Sequence, residues 1–209
     1  MKLEDARRDH YRKMAREQGY KSRAAYKLLE EIRKYKLIKR GDVVLDFGAA
    51  PGGWLQVAST VVGEQGLVVG VDLDRISLRE ENLETIQSDV RAPNLPLAIE
   101  KSLPRQADVV LSDLSPHVIG TWDLDHNRQV ELTLAAISLM ARFLRVGGNA
   151  MFKIFDGDRF GEVRAELKRR FETVQVKKPD ASRKGSSELY LVCLGYSPED
   201  SLTALKTSE

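Results

Sequence analysis

Val43-Val44-Leu45-Asp46-Phe47-Gly48-Ala49-Ala50-Pro51-Gly52-Gly53-Trp54 reads as a buried strand, a small-residue turn and the start of a helix. A near-continuous apolar run is what a strand covered on both faces needs, and the glycines behind it let backbone come close to a ligand. Working outward, β-branched runs recur at 67–71, 84–87 (the weakest), 107–111, 150–155, 173–176 and 189–194. Helical spacing is expected over 23–38, with Ser22 as N-cap, and over 53–62, 75–83, 128–144 and 159–171. Gly147-Gly148 is read as ending the longest helix and turning into the next strand. Strands alternating with helices predict a doubly wound α/β sheet. The last two runs have only a loop with Pro179 and Gly185 between them, which predicts an antiparallel pair at the sheet edge.

The chain has 209 residues, of which 42% are hydrophobic and 31% charged, a balance that suits one globular core. A single domain is expected over 1–209: a basic helical extension at 1–40, the sheet at 41–197 and a flexible tail at 198–209. The lone Cys193 excludes an intramolecular disulfide framework and a multi-cysteine zinc site. His10, His117 and His126 have no metal-ligand spacing, so no metal is expected. No apolar stretch approaches the ~18 residues of a spanning helix, and the charged start (Lys2, Glu4, Asp5, Arg7, Arg8) leads into no apolar run. A soluble cytoplasmic protein without membrane attachment is the expectation.

Charge is nearly balanced overall, at +2, but it is unevenly placed. Residues 1–40 hold 14 basic and 6 acidic residues, a net of +8, and leave −6 for the remainder. A second basic stretch comprises Arg164, Lys168, Arg169, Arg170, Lys177, Lys178, Arg183 and Lys184. Two such concentrations suit a polyanionic partner, since phosphate neutralisation drives nucleic-acid affinity, although a solvated helix face has the same composition.

The glycine loop departs from G-x-G-x-x-G because Ala50 stands where the second glycine would be, which speaks against a nicotinamide-dependent oxidoreductase. Asp72 ends the next strand, where an acidic side chain can hold two ribose hydroxyls. Asp89, after the third strand, is placed to hold an adenine amine. The expected ligand is an adenosine without a diphosphate.

Asp46–Trp54, Ser112-Asp113-Leu114-Ser115-Pro116 and Phe152-Lys153-Ile154-Phe155 resemble the FtsJ/RrmJ-like ribose 2′-O-methyltransferases, from about Tyr20 to Gly195. The resemblance implies a Rossmann-like methyltransferase fold with a seven-stranded, mostly parallel sheet and an antiparallel last strand. It also implies S-adenosylmethionine as methyl donor, leaving as S-adenosylhomocysteine. Cofactor contacts are then expected from Gly48, Pro51, Gly52, Gly53, Trp54, Asp72, Leu73, Asp89, Val90 and Asp113, with helix packing the equal alternative for Trp54.

The family's catalytic Lys-Asp-Lys-Glu set, carried over by motif, falls on Lys21, Asp113, Lys153 and Glu188. Each has a bland alternative: Lys21 as a surface cation, Glu188 as a strand-end carboxylate. Lys153 is harder to dismiss, because a lysine inside an apolar strand must reach solvent or a partner. The acceptor implied is RNA, most readily a uridine of large-subunit ribosomal RNA, naked or in the ribosomal subunit, and not DNA. A tRNA anticodon-loop ribose and a non-catalytic cofactor- or RNA-binding module are the alternatives. Arg7, Arg8, Arg12, Lys13 and Arg23 are expected to follow phosphates, with Arg183 and Lys184 bordering the far side, and a monomer is expected. Tyr190 and Phe155 read more simply as core.

Overall fold

In the computed structural model, which describes residues 13–178 and 187–198, all five residues of β1 (Val43–Phe47) are buried. Around β1 stand β2 (Leu67–Asp72), β3 (Leu83–Gln87), β4 (Ala107–Ser112), β5 (Leu144–Phe155), β6 (Phe171–Lys177) and β7 (Glu188–Tyr196). The sheet order is β3-β2-β1-β4-β5-β7-β6. All pairings from β3 to β5 are parallel, and β7 runs antiparallel between β5 and the edge strand β6. The seven-stranded, mostly parallel α/β sheet expected from the sequence is thus present. Chain order reverses between β1 and β4, and in open α/β sheets ligands bind beyond the strand ends at that crevice.

Helices α1 (Ala24–Tyr35), α2 (Gly53–Val62), α3 (Leu95–Ser102), α4 (Trp122–Phe143) and α5 (Phe160–Lys168) cover the two faces. Strand alternation divides the core between them. Val43, Leu45 and Phe47 pack with Ile99, Met140 and Leu167, whereas Val44 packs with Leu28, Leu55 and Ala58. Burying each such side chain stabilises by about 1.5–3 kcal/mol. Met151, Tyr190 and Val192 share the α1–α2 face. The β5–β7 ladder sets Lys153 opposite Tyr190 and Phe155 opposite Glu188.

Several local expectations are corrected. No helix forms over 75–83. Ile76 and Leu78, two residues apart, both lie under Gly52, which is extended spacing, and Asn82 is tied to the Ser59 and Gly63 carbonyls. Conversely, α3 forms where the apolar spacing predicts no helix; its Pro96 stands in the first turn, where the missing N–H costs nothing. Ser22 does not cap α1, whose N-cap is Arg23 without a side-chain hydrogen bond. Gly147 and Gly148 end no helix. They lie inside β5, where the register against β4 jumps from Leu144 to Asn149.

Candidate active site

The crevice is shaped first by Gly48, which has φ 77°. A Cβ there would stand 2.7 Å from the Leu114 backbone nitrogen, so the loops after β1 and β4 meet at a point only glycine fits. Beyond it opens a cavity of about 240 Å³ whose wall includes Gly48, Ala50, Asp72, Leu73, Asp89, Val90 and Asp113. Asp72 accepts the Ala50 N–H at 2.9 Å on one oxygen and the Asp74 N–H at 2.8 Å on the other. Asp89 is gripped by the Arg91 guanidinium at 3.0 and 2.8 Å, and the hydrogen bonds from Arg91 side chain and backbone hold its carboxyl below the usual range.

Behind the wall sits Asp46, only 1% exposed, and among the described residues neither of its carboxylate oxygens has a hydrogen-bond partner. Burial, then the neighbouring charges of Asp113 and Asp72, push its pKa well above the ordinary value. Carboxylates converging on one crevice suit a ligand that brings positive charge.

Pro51, Gly52, Gly53 and Trp54 are not in the cavity wall. Pro51 is exposed, and Gly52 (φ 110°) is the N-cap of α2. A Cβ on Gly53 would collide with Ser22 Oγ, and the buried Trp54 donates its Nε1–H to the Ala24 carbonyl at 2.8 Å. The far half of the glycine loop therefore clamps α1 to the sheet.

Along the crevice from Asp113 runs a chain of charge-assisted contacts. Lys153 Nζ donates to the Asp113 carbonyl at 2.7 Å and lies 3.2 Å from its carboxylate. Tyr190 donates its hydroxyl to Asp113 Oδ1 at 2.9 Å and accepts from Lys27 Nζ at 3.0 Å. Lys27 also donates to Glu188 Oε2 at 3.0 Å. Burial raises the Glu188 pKa, but Lys27 first, then Lys153 and Arg23, outweigh it and hold the carboxyl below the usual range. Burial, with Asp113 and Glu188 close by, pushes the Tyr190 phenol well up, so it remains a hydrogen-bond donor.

The structure thus brings Asp113, Lys153 and Glu188 together and leaves Lys21 out. Lys21 is exposed on the turn before α1, where its backbone N–H donates to Gln56. The second amine of the cluster comes from Lys27, six residues on, which faces the sheet with Ala25, Leu28 and Glu31. That position was legible: Lys27 stands amid the apolar spacing Ala25, Leu28, Ile32, on the inner side of the helix. Tyr190, expected to be core, is buried yet joins both halves of the cluster.

The basic stretches are less uniform than their composition. Lys13 is exposed beside Glu17, while Arg23 is half-buried with its charge acting on Glu188 and Tyr190. Arg169 and Arg170 both pair with Glu166. Arg7, Arg8, Arg12, Arg183, Lys184 and the tail beyond residue 198 lie outside the described residues. Among the described residues, no cluster of three His, Cys, Asp or Glu could hold a metal, and no helix is long and apolar enough to cross a membrane.

Crevice and cluster together define an α/β fold with a cavity at its switch point and a buried lysine–carboxylate pair beside it. The chain belongs to the FtsJ-like methyltransferase family, whose model matches residues 20–196. It is 50% identical over 192 residues to "Ribosomal RNA large subunit methyltransferase E" of Cenarchaeum symbiosum, covering 92% of this chain and 97% of that one. The protein of the same name from Nitrosopumilus maritimus is 45% identical over 196 residues, 94% of this chain and 99% of its own. The crystal structure of a Plasmodium falciparum protein assigned as a ribosomal RNA methyltransferase superposes with a TM-score of 0.76 at 30% identity, covering 85% of this chain and 98% of that one.

Proposed function

We propose that this chain transfers the methyl group of S-adenosylmethionine to a ribose 2′-hydroxyl of RNA, a uridine of large-subunit ribosomal RNA. The observation that carries the reading is the Lys153 amine, fixed 3.2 Å from the Asp113 carboxylate at the edge of the nucleoside-sized cavity. The names of the relatives from Cenarchaeum symbiosum and Nitrosopumilus maritimus support the choice of RNA.

The donor fits the residues present. Asp72 retains lone pairs for two ribose hydroxyls, and Asp89 for an adenine amine. The orphaned Asp46, with Asp72 and Asp113 near it, suits a ligand carrying a sulfonium and an ammonium. When bound, the donor supplies an activated methyl whose sulfur departs as a neutral thioether. The chain's own task is the acceptor, a hydroxyl too weak to attack until its proton is taken. Lys153 is the group placed to take that proton as the oxygen–methyl bond forms, a role typically worth about 10²–10⁴ in rate. Asp113 fixes the amine from two oxygens and stabilises the ammonium that results. Lys27 and Glu188 hold the ribose from the other side, and Tyr190 sets their spacing to Asp113. Lys27 thus takes the role first expected of Lys21.

Labelled S-adenosylmethionine offered with separated RNA pools tests this. Label in large-subunit ribosomal RNA, recovered in alkali-resistant dinucleotides, is expected. Label confined to tRNA, or in no RNA, overturns the substrate assignment.

A further inference from the structure

We infer that Trp122 is a stacking platform for a nucleobase of the acceptor RNA next to the ribose that is methylated. The inference rests on the proposed RNA methyltransferase reading and adds a positioning residue to it. Trp122 opens α4 and is 47% exposed, a large aromatic surface left to solvent among the described residues. Its ring is nearly parallel to two others: His126 at 5.9 Å and 18°, and Phe155 at 6.0 Å and 23°. Both supports are fixed from below. His126 is buried and accepts the Arg159 N–H at 3.1 Å, and Phe155 is buried in the ladder opposite Glu188. Trp122 is thus the half-exposed member of a cluster of three near-parallel aromatic rings whose other two members are buried.

Its location commits it to the acceptor rather than to the donor. Phe155 lies two residues beyond Lys153 on β5, and Trp122 ends the loop that begins at Asp113. Trp122 is absent from the cavity wall. That loop is itself held down, since Asp125 accepts the Ile119 and Gly120 N–H groups, each at 3.0 Å. Ile119 and Leu124 beside it are also half exposed, so the surround is apolar and suits a flat base better than a phosphate. RNA reading relies on single-stranded bases stacked on aromatic rings, and the stacking tolerates any base.

The chain has two tryptophans, and the other, Trp54, is buried and hydrogen-bonded, so quenching by a ligand reports on Trp122. A short single-stranded oligouridylate should quench wild-type fluorescence strongly, an abasic oligomer of equal length should not, and Trp122→Phe should lose the response. With ribosomal RNA as acceptor, Trp122→Ala should raise KM on the order of tenfold with kcat and donor affinity held, and Trp122→Tyr should restore most of it. Equal quenching by the abasic oligomer, an unchanged KM in Trp122→Ala, or shielding of Trp122 by self-association of the free protein overturns the inference while wild-type RNA methylation stands. If the wild type methylates no RNA, the underlying reading falls and the inference with it.

Discussion

Lys27 Nζ, in the first turn of α1, lies 3.0 Å from Glu188 Oε2 at the start of β7, joining positions 161 residues apart. Docking of α1 on the sheet and completion of the polar cluster are therefore one event. Both side chains are largely shielded from solvent, so removing either leaves the other charge underpaired.

Lys27→Met should cut methyl transfer by at least tenfold, whereas Lys21→Ala should change it less than twofold. Single-turnover kinetics at saturating RNA check the contrast. Equal losses in the two variants would return Lys21 to the cluster.

Glu188 has a folded-state pKa below its ordinary value, so its contribution to stability is full above about pH 4.3 and is lost as the pH falls through the folded value. Glu188→Gln should lower stability near neutrality by about 1–3 kcal/mol. The penalty should shrink on acidification below about pH 4. Thermal midpoints of the two proteins against pH measure this.

Asp46 carries the opposite sign. Its raised pKa means that the unfolded chain releases the proton first, so the folded state loses ground as the pH climbs from about 4 toward the folded pKa. Asp46→Asn should stabilise the ligand-free protein, increasingly so as the pH rises from about 4 to the folded pKa, and should weaken donor binding. Calorimetry at several pH values and titration with S-adenosylmethionine separate the two effects.

Trp54→Phe deletes the 2.8 Å bond to the Ala24 carbonyl and leaves a small void where the larger indole was buried. A loss of about 1–3 kcal/mol is expected by denaturant titration. Because Trp54 clamps α1, methyl transfer should fall along with stability, and donor affinity should hold.

The residues show why some of this was legible in the sequence and some was not. β1 could be read because five buried residues in a row leave no other arrangement, and the order of strands and helices then fixed the sheet class. The stretch 75–83 reads as a short helix because Ile76 and Leu83 stand seven apart among polar residues, and Asn82, which decides the matter, acts through distant carbonyls. Asp113 and Lys153 stand at strand ends or within an apolar strand, where local context betrays them. The choice between Lys21 and Lys27 turned on which side of α1 meets β7, a tertiary fact that only helical phase hints at. Tyr190 looked like core and is core; its hydroxyl matters only because the antiparallel register sets it across from Lys153. Asp46 gave no sign of its missing partners, since isolation is a property of neighbours rather than of the residue itself.

Single-turnover methyl transfer by Lys153→Ala, measured beside its affinity for S-adenosylmethionine, tests the proposed proton acceptor directly. The expected result is donor binding within about twofold of wild type and a rate lowered by at least the order of 10². Near wild-type turnover in that variant would contradict the assignment.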